Sequence, residues 1–155
     1  KVMLLGNHEN RINRAINDDP KLEGLISTTD LPYGDWEVHD FLSPVFIDGI
    51  AYSHYFPTGV LGRAATTASA MVSKLHMSCI AGHQQGKQVA YGKRPDGSTI
   101  TCIIAGSCYE HDEDYLGPQG NNHFRGILMA HRVNNGSFDE CFISLDYLKE
   151  RYEQS

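Results

Sequence analysis

The chain reads as an α/β protein, two packed mixed sheets with helices on their outer faces. Short apolar runs end at Gly or His, as buried strands do where they meet loops: Val2-Met3-Leu4-Leu5-Gly6, Ile50-Ala51-Tyr52-Ser53-His54 and Cys79-Ile80-Ala81-Gly82. Helix and strand signals alternate early, whereas hairpin signals at Asp48-Gly49, Pro95-Asp96-Gly97 and Asn134-Asn135-Gly136 take over later. At 155 residues, 41% hydrophobic, with 15 Gly and 6 Pro, the chain fits one loop-rich domain with a modest core.

The elements follow in order. After the first strand, residues 9–17 form a short helix with Ile12 and Ile16 on one face, ended by Asp18-Asp19-Pro20. Residues 21–26 add a further helical turn, and 27–35 are loop. Residues 36–41 alternate as a strand does. Val45-Phe46-Ile47 and residues 50–54 flank Asp48-Gly49 as a hairpin. Residues 62–77 are the one long helix, with Ala64, Ala68, Met71 and Leu75 spaced to pack on a sheet. Cys79-Ile80-Ala81 is a buried strand. Hairpins then join residues 88–91 to 98–105 and 124–133 to 138–145, and residues 146–152 close the chain as a loosely packed helix.

Composition excludes several functions. A formal net charge of −6 argues against a broad surface for nucleic-acid backbones, which needs Lys and Arg. Phosphate substrates stay open, because two divalent ions would add about +4 at a cleft. Cys79, Cys102, Cys108 and Cys141 form no C-x-x-C pair, and three lie in apolar runs, as reduced thiols of a cytoplasmic protein do. Cys108, in a polar loop, is open to a nucleophile role. There is no run long enough to span a membrane, no signal sequence and no lipidation box.

Three strand ends carry the chemistry. Asn7, His8 and Glu9 offer an amide oxygen, an imidazole and a carboxylate where the first strand stops, and clefts at such ends are where α/β proteins place sites. The structural alternative is Asn7 capping a helix, with Glu9 in its first turn. His54 and His83 end the next two apolar strands. An Asn oxygen with two neutral imidazoles suits zinc, manganese or iron. The loop from Glu110 to Arg125 is dense in polar groups. It is either a substrate lid, with His123 or Arg125 holding phosphate, or a solvated acidic loop.

Gly6-Asn7-His8-Glu9, then His54, then Gly82-His83-Gln84-Gln85 together resemble the C-terminal part of the calcineurin-like metallophosphoesterases. The family pattern runs Asp-x-His, Gly-Asp-x-x-Asp, Gly-Asn-His-Asp/Glu, a lone His, then Gly-His-x-His. Gly106-Ser107-Cys108-Tyr109 and the loop from Tyr115 to Gly120 look most like the branch found in bacteriophages and prophages. The resemblance implies a four-layer sandwich and a phosphodiesterase, nuclease or nucleotide phosphatase using two divalent ions (Mn, Fe, Zn or Ni). Asn7, His54 and His83 would bind one ion. Gln85, standing where the family's last His stands, would reach the other. A hydroxide bridging the ions would attack phosphorus, and His8, not itself a ligand, would serve the leaving oxygen.

The Asp-x-His and Gly-Asp-x-x-Asp blocks are absent, so residues 1–155 read as the C-terminal portion of a single domain, short of an N-terminal part on the order of 70–100 residues. Such a piece is expected to be catalytically silent alone and to expose a sheet edge through which copies could pair. Two alternatives stand beside this reading. One is a non-catalytic binding or structural relic of the fold; the other is a mononuclear zinc hydrolase built on Asn7, His54 and His83.

Overall fold

A computed structural model describes residues 1–153 as a mixed α/β fold. In chain order the elements are β1 (Val2–Leu4), α1 (Asn10–Asp18), β2 (Glu37–His39), β3 (Val45–Ile47) and β4 (Ile50–Ser53). They continue with α2 (Ala68–Leu75), β5 (Ser78–Ala81), β6 (Gln88–Lys93) and β7 (Thr99–Ile104). The last four are α3 (Gly117–Asn121), β8 (Gly126–Asn134), β9 (Ser137–Ser144) and α4 (Leu145–Tyr152). Single 3₁₀ turns occur at Pro20–Leu22, Thr28–Asp30 and Val60–Gly62.

Local turn chemistry sets two hairpins. Asp48 and Gly49 have φ of 48° and 81°, and Asn135 and Gly136 have 48° and 84°. Positive φ at both central residues is the I′ pattern, which matches the twist of the flanking strands. The two turn tips also interlock. The Gly136 amide donates to the Asp48 carbonyl at 2.7 Å, and a Cβ on Gly49 would stand 2.6 Å from Asn135 backbone. Each turn needs its glycine twice over, for its dihedral and for the close approach.

Five strands form one mixed sheet in the order β3-β4-β5-β7-β6, with β4, β5 and β7 parallel and the two edge strands antiparallel. Its faces separate by the period of two. Ala51, Cys79, Ala81, Ile100, Cys102 and Ile104 pack with Met71 of α2 and with Phe56. Ile50 and Ile103 face the other way, against Phe138, Leu128 and Phe142 of the β8–β9 ribbon. The central layer is thus closed by one helix and one hairpin. β1 and β2 form a separate parallel pair, with Val2 opposite Glu37 and Leu4 opposite His39. In place of the expected two packed mixed sheets, the described residues form one five-stranded sheet and two two-stranded ones. The cysteines are all free, with Cys79 and Cys102 buried opposite each other on β5 and β7.

The long helix is the main local correction. Helix forms over Ala68–Leu75 and not over residues 62–77. Thr67 stops it at the front, its hydroxyl accepting the Ala70 amide at 3.1 Å, as a β-branched capping residue does. The preceding residues are tied into a loop by bonds from Gly59 N to Arg63 O and from Ala65 N to Phe56 O. His76, left-handed at φ 55°, ends it. Further on, α3 is a short helix inside the stretch read as loop, and the terminal helix buries none of its residues, as expected. Among the described residues no helix is long and apolar enough to cross a membrane.

Candidate functional site

Strand register brings the distant motifs together. Ser53 pairs with Ala81 across the parallel β4 and β5, so the chain leaves both strands side by side, and the Gly82 amide donates to the His54 carbonyl at 3.1 Å. His83 takes a left-handed φ of 65° and turns back toward its neighbour strand. The third strand end arrives from the other sheet. The Gly6 amide donates to Glu9 Oε2 at 2.8 Å, and the Asn10 amide donates to the Gly6 carbonyl. Glu9 thus reaches back to the strand end at Gly6, and α1 begins without a side-chain cap. Asn7 does not cap the helix; its side chain goes to His54.

The result is a tight polar cluster. Asn7 Oδ1 lies 2.8 Å from His54 Nε2, which lies 3.1 Å from His83 Nδ1. His54 Nε2 carries at most one proton, so it cannot donate to both neighbours. Ligands about 2.0–2.2 Å from a common ion, set at right angles, stand about 3 Å apart. The chemistry of the set, one amide oxygen and two imidazole nitrogens, fits such an ion. Partial burial holds the His54 imidazole below its ordinary pKa, the neighbouring His83 adds to this, and Glu9 opposes it. A neutral ring keeps the lone pair a cation needs.

Aromatic packing fixes the rings. Tyr55 lies 5.9 Å from the His54 ring and 5.0 Å from the His83 ring, and Phe41 packs on both His54 and Tyr55. Gly6 leaves room for this arrangement. A Cβ there would stand 2.9 Å from His54 Cε1 and 3.0 Å from Glu9 Oε2.

Asn7, His8, His54, His83 and Gln85 all line one cleft of about 600 Å³, a size suited to a small molecule. His8 is exposed, and Gln85 Nε2 donates to the Tyr115 hydroxyl at 2.9 Å. Tyr33 and Tyr109 also line the cleft, and their hydroxyls are buried without a hydrogen-bond partner. Desolvation, then the Glu9 charge, raises the Tyr33 pKa, keeping that hydroxyl a donor.

His123 and Arg125 are not brought to this cluster; both line an adjacent cavity of about 390 Å³. Arg125 Nη1 donates to the Glu110 carbonyl at 2.7 Å, while Nη2 donates to Asp112 Oδ1 at 2.6 Å and to the Asn121 carbonyl at 3.3 Å. Its Nε is buried without a partner. These bonds tie the polar loop to itself. His123 bonds the Gly120 carbonyl and Ser107 Oγ, each at 2.9 Å.

Sequence reading missed Ser107, Glu113 and Tyr115, which complete the cleft wall. The signal for Ser107 was available: it follows β7, the third parallel strand of the sheet, and so leaves the same edge as His54 and His83. Glu113 stands in the polar loop read either as a substrate lid or as a solvated acidic loop, and Tyr115 opens the 115–120 loop. Sequence reading assigned neither a site role of its own, and the folded loop carries both to the cleft wall. Among the described residues no three His, Cys, Asp or Glu side chains stand at metal-ligand spacing; the central cluster has two imidazoles and an amide. No protein-family model, curated protein or solved structure matches the chain.

Proposed function

We propose that this chain carries the metal-binding half of a phosphoesterase site of the calcineurin-like metallophosphoesterase kind. One observation carries the reading: Asn7 Oδ1, His54 Nε2 and His83 Nδ1 meet within 3.1 Å per contact although they come from three strand ends in two sheets. The buried, unpartnered hydroxyls of Tyr33 and Tyr109 support a ligand in the same cleft. On this reading β1 and β2 belong to one of the two packed sheets of a four-layer sandwich.

Asn7, His54 and His83 would hold one divalent ion, and the amide of Gln85 would serve a second. Bound divalent ions polarise phosphoryl oxygens and lower the pKa of water. The chain's own residues do the rest. Tyr55 and Phe41 hold the imidazoles in place. His8, exposed at the cleft, stands free to protonate a leaving alkoxide. No Lys or Arg lines the cleft among the described residues, so phosphate binding there would depend on the ions. The second ion needs further donors, from another segment or from a second copy.

A mononuclear hydrolase is the second reading, favoured because three donors converge on one point while Gln85 bonds Tyr115 instead. Metal analysis after manganese or zinc loading, run beside hydrolysis of bis-p-nitrophenyl phosphate, tests both. Two ions per active protein support the first reading and one ion per active protein the second. A protein that retains no ion after desalting defeats both and leaves no metal-dependent catalysis at this cluster.

A further inference from the structure

His123 and Ser107 form a pair that the metal reading does not use. The Gly120 carbonyl can only accept, so His123 Nδ1, 2.9 Å away, carries a proton and donates it. In the neutral ring Nε2 is then a bare lone pair. It lies 2.9 Å from Ser107 Oγ, so the hydroxyl donates to it. This is the geometry of a nucleophile, its base, and a third group that fixes the base's tautomer. Here a backbone carbonyl fills the place usually taken by a carboxylate.

The pair is rigidly set. Ser107 follows Gly106, whose φ of 87° bends the chain sharply at the end of β7. The Ser107 carbonyl accepts the Gly126 amide at 2.8 Å. Gly120 sits in α3, clamped by Asn121: its Oδ1 accepts the Glu113 amide at 2.8 Å, and its Nδ2 donates to the Glu113 and Gly117 carbonyls. Ser107 is 9% exposed and lines the main cleft, while its base sits behind it. That cleft contains Glu9 and Glu113 and, among the described residues, no Lys or Arg, so without metal it suits a neutral substrate better than an anion.

We propose that Ser107 is a covalent nucleophile, with His123 as its general base, toward small neutral carboxylic esters entering the cleft. As Ser107 Oγ bonds to the ester carbon, its proton passes to His123 Nε2. The C–O bond to the alcohol then breaks, and the alkoxide leaves with the electron pair and takes that proton, giving an acyl-serine that water hydrolyses.

The test uses the whole chain in the presence of a chelator, so that its outcome is separate from the metal reading. A fluorophosphonate probe replaces its P–F bond with a bond to the serine oxygen and releases fluoride. One adduct on Ser107, located by peptide mass, is expected, with none in Ser107→Ala. Labelling should slow about a hundredfold in His123→Gln, and p-nitrophenyl acetate should compete with it. No adduct, an adduct elsewhere, an unchanged rate in folded His123→Gln, or no competition by the ester overturns the proposal. Should His123→Gln unfold by circular dichroism, Ser107→Cys decides. Its introduced thiol should react with iodoacetamide about tenfold faster than the exposed Cys108. An equal or slower rate overturns the base assignment.

Discussion

The strand-end cluster and the loop cluster beside it are both rich in polar groups, but they are held in opposite ways. Asn7, His54 and His83 are placed by sheet register and aromatic packing, and their polar atoms crowd onto one imidazole nitrogen that cannot satisfy both neighbours. In the loop of residues 110–125, the terminal nitrogens of Arg125 and the amide of Asn121 bond nearby carbonyls and a carboxylate and hold the loop's shape, with only Arg125 Nε left buried and unpartnered among the described residues of that loop. A set whose hydrogen bonds close on the chain organises structure. A set left with surplus lone pairs is prepared for something it does not itself contain. Ser107 joins the two regions, lining the cleft while bonded to the loop's His123.

The largest test of this contrast is His54→Ala, which removes the atom shared by both contacts. If the cluster binds an ion, affinity should fall about a hundredfold or more by calorimetry with manganese or zinc. Unchanged affinity would place the ion elsewhere. Gly6→Ala probes the same cluster more gently. The new Cβ would press on His54 Cε1 at 2.9 Å, and affinity should fall about tenfold while the fold survives. Retained affinity would show that the ring tolerates displacement.

Arg125→Gln addresses the other region. It should destabilise the protein by about 1 kcal/mol in urea titration and speed amide exchange across residues 110–125, leaving metal binding untouched. A loss of metal binding would tie the loop to the ion. The smallest effect is expected at Lys149→Ala. The Lys149–Glu110 ion pair, at 2.8 Å, is solvent-exposed, so the thermal midpoint at physiological salt should not move measurably. A clear drop would mean that α4 anchors the loop more firmly than its packing indicates.

Much of this molecule was legible from local chemistry. Asp48-Gly49 and Asn135-Gly136 favour tight hairpins between flanking strand-forming runs, because few other residue pairs accept two successive positive φ values cheaply. The apolar runs ending at His54 and at Gly82 declared themselves as strands by composition. His54 and His83 leave neighbouring parallel strands of one sheet, so the strand pattern alone places them and Gln85 together. Asn7 arrives from the separate β1–β2 pair, and the order of the motifs is what grouped it with them. What needed the tertiary structure was whatever depends on competition between neighbours. Residues 62–67 have helical spacing, yet bonds to Phe56 and Gly59 and the Thr67 cap win over propensity. The division into a five-stranded sheet and two smaller ones depends on which strands find partners, which no single segment encodes. The polar loop was ambiguous for the same reason. Whether a guanidinium faces a ligand or a carbonyl depends on where a chain segment folds back, and the hydrogen bonds of Arg125, His123 and Asn121 exist only once it has done so.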